Sequence, residues 1–213
     1  MLKICNKRFL VVMMAILGMM LLVTGCNNED TSENPNAGIN SESYHPKVEI
    51  VMKDGGKMIF ELYPEIAPVT VENFVTLSKS GFYDGLKFHR IIKDFMIQGG
   101  DPKGDGTGGS EKNIKGEFSK NGFKENNLKH TKGVISMARS NDMNSASSQF
   151  FIMHGDVNSL DGEYAAFGKL IEGEETLDKL AGLPVKKSSY SGEVSVPVED
   201  VVIEKVMVVE DEK

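Results

Sequence analysis

A series of short β-type runs, separated by glycine-containing turns, occupies most of the chain after residue 46. These runs span residues 48–52, 57–62, 88–92, 95–98, 133–137, 149–153, 166–170 and 201–208. Only two segments show helical periodicity: one begins at Pro68 and stops at Gly81, and the other spans residues 174–181. Periodicity alone leaves a β-sandwich and a β-barrel open. Many short strands with few helices favour a closed antiparallel barrel, because closure removes exposed strand edges.

Two stretches carry the most specific pattern. The sequence Phe-His-Arg-Ile-Ile-Lys-Asp-Phe-Met-Ile-Gln-Gly-Gly-Asp occupies residues 88–101, and Ser-Gln-Phe-Phe-Ile occupies residues 148–152. Together they place one arginine, two glutamines and several large apolar side chains on strand-like segments, without a nucleophile beside a base. This pairing closely resembles the cyclophilin family of peptidyl-prolyl cis-trans isomerases, over roughly residues 46–210. The resemblance implies an eight-stranded, closed antiparallel β-barrel with a capping helix at each end.

The chemistry of this reaction explains the residue types. Rotation about a peptide bond has a barrier of about 18–20 kcal/mol, because the nitrogen donates electron density into the carbonyl group. Lowering it requires an apolar slot for the proline ring, hydrogen-bonding groups for the flanking backbone, and a cation near the twisted amide. Arg90 suits the last task, because its guanidinium stays charged and presents a rigid fork of donors.

The resemblance assigns a role to each matching position. Arg90 is the expected catalytic residue. The expected substrate-binding residues are Phe95, Met96, Phe151 and Leu160 in the proline pocket, Gln98 and Gln149 on the substrate backbone, Gly106 and Thr107 in a loop beside the groove, Ala138 and Arg139 at a strand end that pairs with the peptide, and Tyr164 at a further pocket position. The alternatives are plain core packing for the apolar residues and a surface salt bridge for Arg90.

Several positions depart from the family pattern. Arg139 stands where many members have Asn, and Tyr164 stands where many carry a pocket His while keeping a ring and a polar tip. Met143 and Ser147 replace a Pro and a Gly common in bacterial relatives, so the loop between them is expected to have a different shape. Ser159 occupies the position of a Trp in cyclosporin-sensitive members, which predicts weak cyclosporin binding.

The N-terminus predicts export and lipidation. Three basic residues within the first eight precede the uncharged apolar run 9–23, which matches a signal h-region and is short for a membrane span of about 20 residues. The run ends in Val-Thr-Gly-Cys, which resembles the lipobox of bacterial lipoproteins. Residues 1–25 are therefore predicted to be a signal peptide, and Cys26 to carry the lipid that holds the protein on the extracytoplasmic side of the cell membrane. The alternative is an uncleaved N-terminal anchor.

The rest of the chain divides by composition. The Asn-, Ser- and Glu-rich segment 26–45 is predicted to be a flexible linker that starts at the lipidated cysteine, because it has almost no apolar content. Residues 46–210 form the predicted isomerase domain, and residues 211–213 a short tail. Removal of Cys5 with the signal leaves Cys26 as the only cysteine, so no intramolecular disulfide is expected.

Charge and motifs limit the partners. Removal of the three basic residues of the signal changes the formal net charge from −7 to −10. Such an acidic surface repels phosphate backbones, so nucleic acid is excluded as a partner, and membrane attachment is assigned to acyl chains. The four histidines show no ligand spacing. A monomer without cofactor or metal is expected.

Two function classes remain open. The first is an enzyme that isomerises X-Pro bonds in unfolded or exported proteins and assists their folding outside the membrane. The second is a proline-binding chaperone module that grips the same segments with little catalysis. The presence of Arg90 favours the enzyme.

Overall fold

The computed structural model describes residues 44–209. The predicted signal peptide (1–25), Cys26, nearly all of the predicted linker and the tail 211–213 lie outside this range. In the part of the chain that is described, no helix is both long and apolar enough to cross a lipid bilayer.

The fold begins with the predicted hairpin. Strands β1 (Lys47–Met52) and β2 (Lys57–Leu62) pair antiparallel. In the turn, Gly55 has a φ of 87°, a left-handed conformation that glycine adopts without steric penalty. Two backbone hydrogen bonds of 2.8 Å close this turn against Met52. Alternate side chains of β2 are fully buried, namely Met58, Phe60 and Leu62. This period of two fixes which face of β2 covers the core.

Six further strands complete the main sheet. They are β3 (Arg90–Ile92), β4 (Met96–Gly99), β5 (Val134–Met137), β6 (Phe150–Met153), β7 (Ala166–Glu172) and β10 (Ile203–Val209). Within residues 44–209 the strand order is β10-β1-β2-β7-β5-β6-β4-β3, and every neighbouring pair is antiparallel. The prediction of eight antiparallel strands is confirmed. A separate two-stranded sheet, β8 (Val185–Lys187) with β9 (Val194–Pro197), was not predicted.

The prediction of a closed barrel is wrong. The sheet is an open half-barrel that curves through 218°. Its edge strands β3 and β10 share no ladder in the described chain; the contact between these edges is one isolated bridge, Lys87 with Val202, and the backbone hydrogen bonds beside it. The physical reason is length, because β3 has only three residues, and all three pair with β4.

Both predicted helices are confirmed. Helix α1 (Pro68–Lys79) starts with proline at its first turn, where a missing N–H removes no helical hydrogen bond. Helix α2 (Glu174–Ala181) has acidic residues in its first turn, where they interact favourably with the helix dipole. It ends before Gly182, a residue type that is common at helix C-termini. The helices bury Phe74 and Leu177 in the same apolar cluster.

The two faces of the sheet carry separate apolar clusters. The larger one fills the half-barrel and includes Phe150 and Ile152. The smaller one lies on the opposite face and includes Met96, Phe151 and Met153. Successive residues of β6 therefore contribute to opposite faces, as the sequence predicts. The smaller cluster forms the floor of the candidate site.

Candidate functional site

A tight turn sets the register of the site. Residues 93–95 connect β3 to β4, and Asp94 has a φ of 60°, a left-handed conformation that aspartate tolerates better than most side chains. The resulting register places Arg90 opposite Gln98, and Gln98 lies opposite Phe151 on β6. Three neighbouring strands thus bring a cation, an amide and an aromatic ring into one row.

This row lines a cavity of about 210 Å³. Its walls consist of Arg90, Phe95, Met96, Gln98, Ala138, Arg139, Phe151, Leu160 and Tyr164. All nine are among the residues that the sequence predicts for the site, although they come from four separate segments of the chain. The structure therefore brings these predicted residues together around one opening.

The apolar side of this cavity is tightly packed. Phe151 is 5% exposed, and its ring stacks on His130 with the ring centroids 6.0 Å apart. Tyr164 meets Phe151 edge-on at 5.6 Å. Behind them, the His130 ring lies 3.0 Å from the Ser136 hydroxyl and 3.2 Å from the Asp161 carboxylate. The slot is therefore preformed, because its rings are held by neighbours on both sides.

The Arg139 side chain has a structural task. Its Nε and Nη2 donate to the Glu163 carbonyl at 3.1 and 2.9 Å, and its Nη1 donates to the Ser140 carbonyl at 2.8 Å. The guanidinium also lies 4.7 Å from the Tyr164 ring centroid and 5.1 Å from that of Phe118. Arg139 thus holds the wall on which Tyr164 sits, and its guanidinium is committed to protein groups.

A second, more polar cavity of about 260 Å³ adjoins the first. The two share Gln98, Ala138 and Arg139. The remaining lining residues are Gly106, Thr107, Gly108, Ser140, Ser145, Ser147 and Gln149. Gly106, Thr107 and Gln149 are predicted site residues. Ser140 and Ser145 are not, although the Ser-rich composition of segment 140–148 is a signal that could have indicated a polar groove.

Two glutamines connect the cavities. Gln98 donates from Nε2 to Gln149 Oε1 at 2.8 Å. Gln149 in turn donates from Nε2 to the Gly108 carbonyl at 2.7 Å and the Gly106 carbonyl at 3.1 Å. The amides therefore tie the glycine loop to the sheet and keep polar atoms at the groove.

Arg90 lies between the first cavity and a carboxylate that was not predicted. Its Nη1 lies 3.4 Å from Gln98 Oε1 and 3.6 Å from Met96 Sδ, and its guanidinium lies 5.7 Å from the Phe95 ring centroid. On its other edge it pairs with Glu193 at 2.7 and 2.9 Å. Arg90 thus both lines the cavity and forms an ion pair. Glu193 was missed because 103 residues separate the partners and no spacing rule links them.

The glycine loop is anchored by a buried carboxylate. Asp101 is 1% exposed and accepts hydrogen bonds from the backbone N–H groups of Lys103 at 2.8 Å, Asp105 at 3.1 Å and Gly106 at 2.6 Å. Burial alone would raise the pKa of Asp101, but the backbone N–H donors outweigh it and hold this pKa below its usual range. The loop beside the groove is therefore shaped by an ionised carboxylate.

We expect Asp101→Asn to lower the free energy of unfolding at pH 7 by about 1–3 kcal/mol, because an amide cannot accept at both of its ends. Since the folded-state pKa is depressed, the carboxylate contributes stability above its unfolded pKa of about 3.9, and this contribution is lost as the pH falls through the folded value. Urea unfolding at pH 7 and in acid measures both effects. Equal stability of variant and wild type at pH 7 would contradict this role.

No group of three or more His, Cys, Asp or Glu side chains that could hold a metal ion occurs between residues 44 and 209. The residues that line the two cavities offer amide, hydroxyl, guanidinium and apolar groups. This arrangement can bind an extended polypeptide and present a cation to one of its amides.

Comparison with known proteins identifies the family. The profile described as "Cyclophilin type peptidyl-prolyl cis-trans isomerase/CLD" matches residues 47–208. Peptidyl-prolyl cis-trans isomerase-like 3 of Gallus gallus is 46% identical over 154 residues, which cover 70% of this chain and 91% of that protein. The same-named protein of Homo sapiens is 44% identical over 154 residues, with the same coverage of 70% and 91%.

A solved structure agrees with this match. The crystal structure of a cyclophilin-type peptidyl-prolyl cis-trans isomerase of Cryptosporidium parvum superimposes with a TM-score of 0.70 at 36% identity, covering 79% of this chain and 100% of that one. Fold and sequence therefore agree, and the chain belongs to the cyclophilin-type peptidyl-prolyl cis-trans isomerase family.

Proposed function

We propose that the protein isomerises X-Pro bonds of exported polypeptides without a covalent intermediate. The observation that carries this proposal is the 210 Å³ cavity, in which the rings of Phe95 and Phe151 and the Met96 side chain stand beside the Arg90 guanidinium. The cavity can hold a proline ring, while Arg90 faces the bond that precedes it. A second structure of the Cryptosporidium parvum relative, with a TM-score of 0.68 at 36% identity, was determined in the presence of the dipeptide ala-pro, which supports this substrate class.

In the proposed mechanism, the twisted amide is the species that the site favours. When the peptide bond rotates by about 90°, conjugation is lost and the nitrogen lone pair becomes a hydrogen-bond acceptor. Arg90 donates to the twisted amide from Nη1, the edge that faces the cavity. Because this interaction strengthens as the bond twists, it accelerates the reaction instead of only tightening binding. No proton is transferred.

In this proposal, the second cavity binds the substrate residues that flank the proline. Gln98 and Gln149 keep amide groups at the junction of the cavities, and Gly106 and Thr107 line the second cavity beside them. The end of β5 passes the junction at Ala138, whose N–H already bonds to the Gln149 carbonyl at 2.9 Å. We assign these groups to the residues that precede the proline, and Leu160 and Tyr164 to the outer rim of the proline slot.

The N-terminal sequence supports a proposal for the location. We propose that residues 1–25 direct export, that Cys26 is lipidated, and that residues 27–45 tether the monomeric domain on the outer side of the membrane. Uncatalysed prolyl isomerisation takes tens of seconds, so proteins that fold after export are natural substrates. The tether keeps the enzyme where those chains emerge.

A refolding experiment tests this role against that of a proline-binding module. The purified chain is added to a denatured exported protein whose refolding is limited by prolyl isomerisation. We expect the slow phase to accelerate with substoichiometric amounts of chain, because a catalyst turns over. Retardation of the slow phase, or an effect only at equimolar amounts, would indicate a chaperone that binds without catalysis.

Cyclosporin is expected to bind weakly. Ser159 is exposed beside the pocket residue Leu160, and it offers neither the surface nor the N–H of an indole. Loss of a large aromatic contact at an interface typically costs a few kcal/mol. Calorimetric titration measures the affinity, with Ser159→Trp as the matched variant that should bind more tightly. Nanomolar binding by the wild type would contradict this assignment of Ser159.

A further inference from the structure

The hairpin formed by β8 and β9 brings a carboxylate to the back of the candidate site. It borders a cavity of about 810 Å³, whose other side is formed by Arg90, Gln98 and the glycine loop. Glu193 lies in the turn of this hairpin, immediately before β9, and points at Arg90. No other glutamate or aspartate between residues 44 and 209 forms an ion pair with Arg90.

Glu193 contacts only one edge of the Arg90 guanidinium. Arg90 Nε donates to Glu193 Oε2 at 2.7 Å, and Arg90 Nη2 donates to Glu193 Oε1 at 2.9 Å. A guanidinium has five N–H donors in one plane, so two parallel hydrogen bonds fix the orientation of that plane. The Nη1 edge stays outside the pair and is turned toward Met96 Sδ and Gln98 Oε1, at the mouth of the 210 Å³ cavity.

The hairpin holds Glu193 in place. The Ser188 N–H donates to the Glu193 carbonyl at 2.7 Å, the Gly192 N–H donates to the Ser188 carbonyl at 3.0 Å, and Gly192 has a φ of 75° that suits glycine. Ser195, which is 2% exposed, lies next to the carboxylate on the same hairpin. The hydrogen bond from Arg90, supported by the Ser195 hydroxyl, keeps the pKa of Glu193 below its usual range despite burial, so Glu193 is charged at neutral pH.

The partial exposure of the Arg90–Glu193 ion pair indicates that it orients the Arg90 side chain and adds little to folding stability. The side chains of Arg90 and Glu193 are 31% and 37% exposed, and ion pairs with this access to solvent contribute little to folding. Their bidentate geometry nevertheless removes the rotational freedom of a long side chain. The expected benefit therefore lies in preorganisation of the site, because a donor that is already aimed needs no reordering in the transition state.

We propose that Glu193 is a positioning residue, which holds the Nε and Nη2 edge of Arg90 so that Nη1 faces the amide of the bound X-Pro segment. This inference rests on the proposed role of Arg90 in catalysis. Glu193 itself does not touch the substrate. A competing role is a brake, in which Glu193 neutralises Arg90 and must be displaced before turnover.

Kinetics of single and double variants of the full chain separate these roles. We expect Glu193→Ala to lower kcat for an Ala-Pro peptide by about 10-fold while KM changes less, because misplacement of a catalytic group mainly affects the transition state. Glu193→Gln should lower kcat less, because the amide oxygen of glutamine can still accept a hydrogen bond from either Nε or Nη2 of Arg90. Glu199→Ala is the matched control: Glu199 is an exposed glutamate after β9 that lines neither the groove nor the 810 Å³ cavity.

The double variant Arg90→Ala/Glu193→Ala shows whether Glu193 acts through Arg90. Without the guanidinium, Glu193→Ala should have no further effect on kcat, whereas a purely structural role of the hairpin would lower kcat equally in both backgrounds. The Arg90 Nε–H signal in ¹⁵N NMR gives an independent readout: it should exchange slowly with water in the wild type and rapidly in Glu193→Ala.

Three results would overturn the proposal: an unchanged or increased kcat of Glu193→Ala, an equal loss in both backgrounds, or an Nε–H signal that exchanges equally fast in both proteins. Full activity of Arg90→Ala alone would instead refute the proposed role of Arg90, so the two failures are distinguishable.

Discussion

Replacing Arg90 with alanine should lower kcat/KM for an X-Pro peptide by about 10²–10³-fold, or roughly 2.7–4 kcal/mol, by analogy with the removal of one transition-state donor from an active site. The physical reason is that Nη1 points to the cavity mouth, where the twisted amide would lie. The fold should persist, since Arg90 is a partly exposed groove residue. A steady-state assay gives kcat/KM, and circular dichroism checks the fold.

The variant Arg90→Lys separates the effect of the positive charge from that of the guanidinium geometry. Arg90→Lys should recover only part of the activity, because an ammonium keeps the charge but lacks the planar fork that pairs with Glu193. Peptide affinity should change less than turnover in both variants, since the interaction strengthens as the bond twists. A well-folded Arg90→Ala variant with near wild-type kcat/KM would refute the mechanism.

Replacing Cys26 with serine should abolish lipidation and, with it, cleavage of the signal, so that the mature lipid-anchored form is lost. The lipobox-like sequence before Cys26 is the reason, because serine cannot form the thioether to diacylglycerol on which a lipoprotein signal depends. The net charge of −10 expected for the mature chain offers no alternative attraction to anionic lipids. Fractionation of cells, with an immunoblot that reports signal cleavage, measures the outcome.

Cys5→Ser is the matched control, since Cys5 lies within the predicted signal and should not affect attachment. If Cys26→Ser is cleaved normally and stays as membrane-bound as the wild type, the lipoprotein assignment is wrong. If the wild type itself is not cleaved, the N-terminal segment is an uncleaved anchor.

The strands were predictable because their pattern is local. In β6, for example, Phe150 and Phe151 occupy opposite faces simply because they are neighbours in a strand. Closure of the barrel was not predictable in the same way, because it depends on whether β3 and β10 meet. That contact is set by three-dimensional curvature and by the shortness of β3, neither of which leaves a mark in the sequence.

The second sheet escaped prediction for a different reason. Strands β8 and β9 are three and four residues long, and a Ser- and Gly-containing turn separates them. Such a segment has too little apolar alternation to be distinguished from a loop. Its importance arises only from its position beside β3, which brings Glu193 to Arg90.

The site was predictable mainly through its resemblance to a family. The roles of Phe95, Leu160 and Tyr164 could not have come from spacing, since residues of this type usually form core. Their common lining of one cavity is a structural result. Matching positions to the family lists Arg139 as a substrate-binding residue, but it does not reveal what the side chain contacts. Its guanidinium donates to the carbonyls of Ser140 and Glu163.

The groove should isomerise X-Pro bonds instead of only binding the segments that contain them. Exchange spectroscopy by NMR on a short Ala-Pro peptide, with catalytic amounts of the full chain in detergent, tests it most directly. Uncatalysed interconversion takes tens of seconds, so cis–trans exchange cross-peaks should appear on the subsecond scale with wild-type protein and vanish with Arg90→Ala. Peptide signals that shift on binding while the exchange rate stays at its uncatalysed value would contradict it.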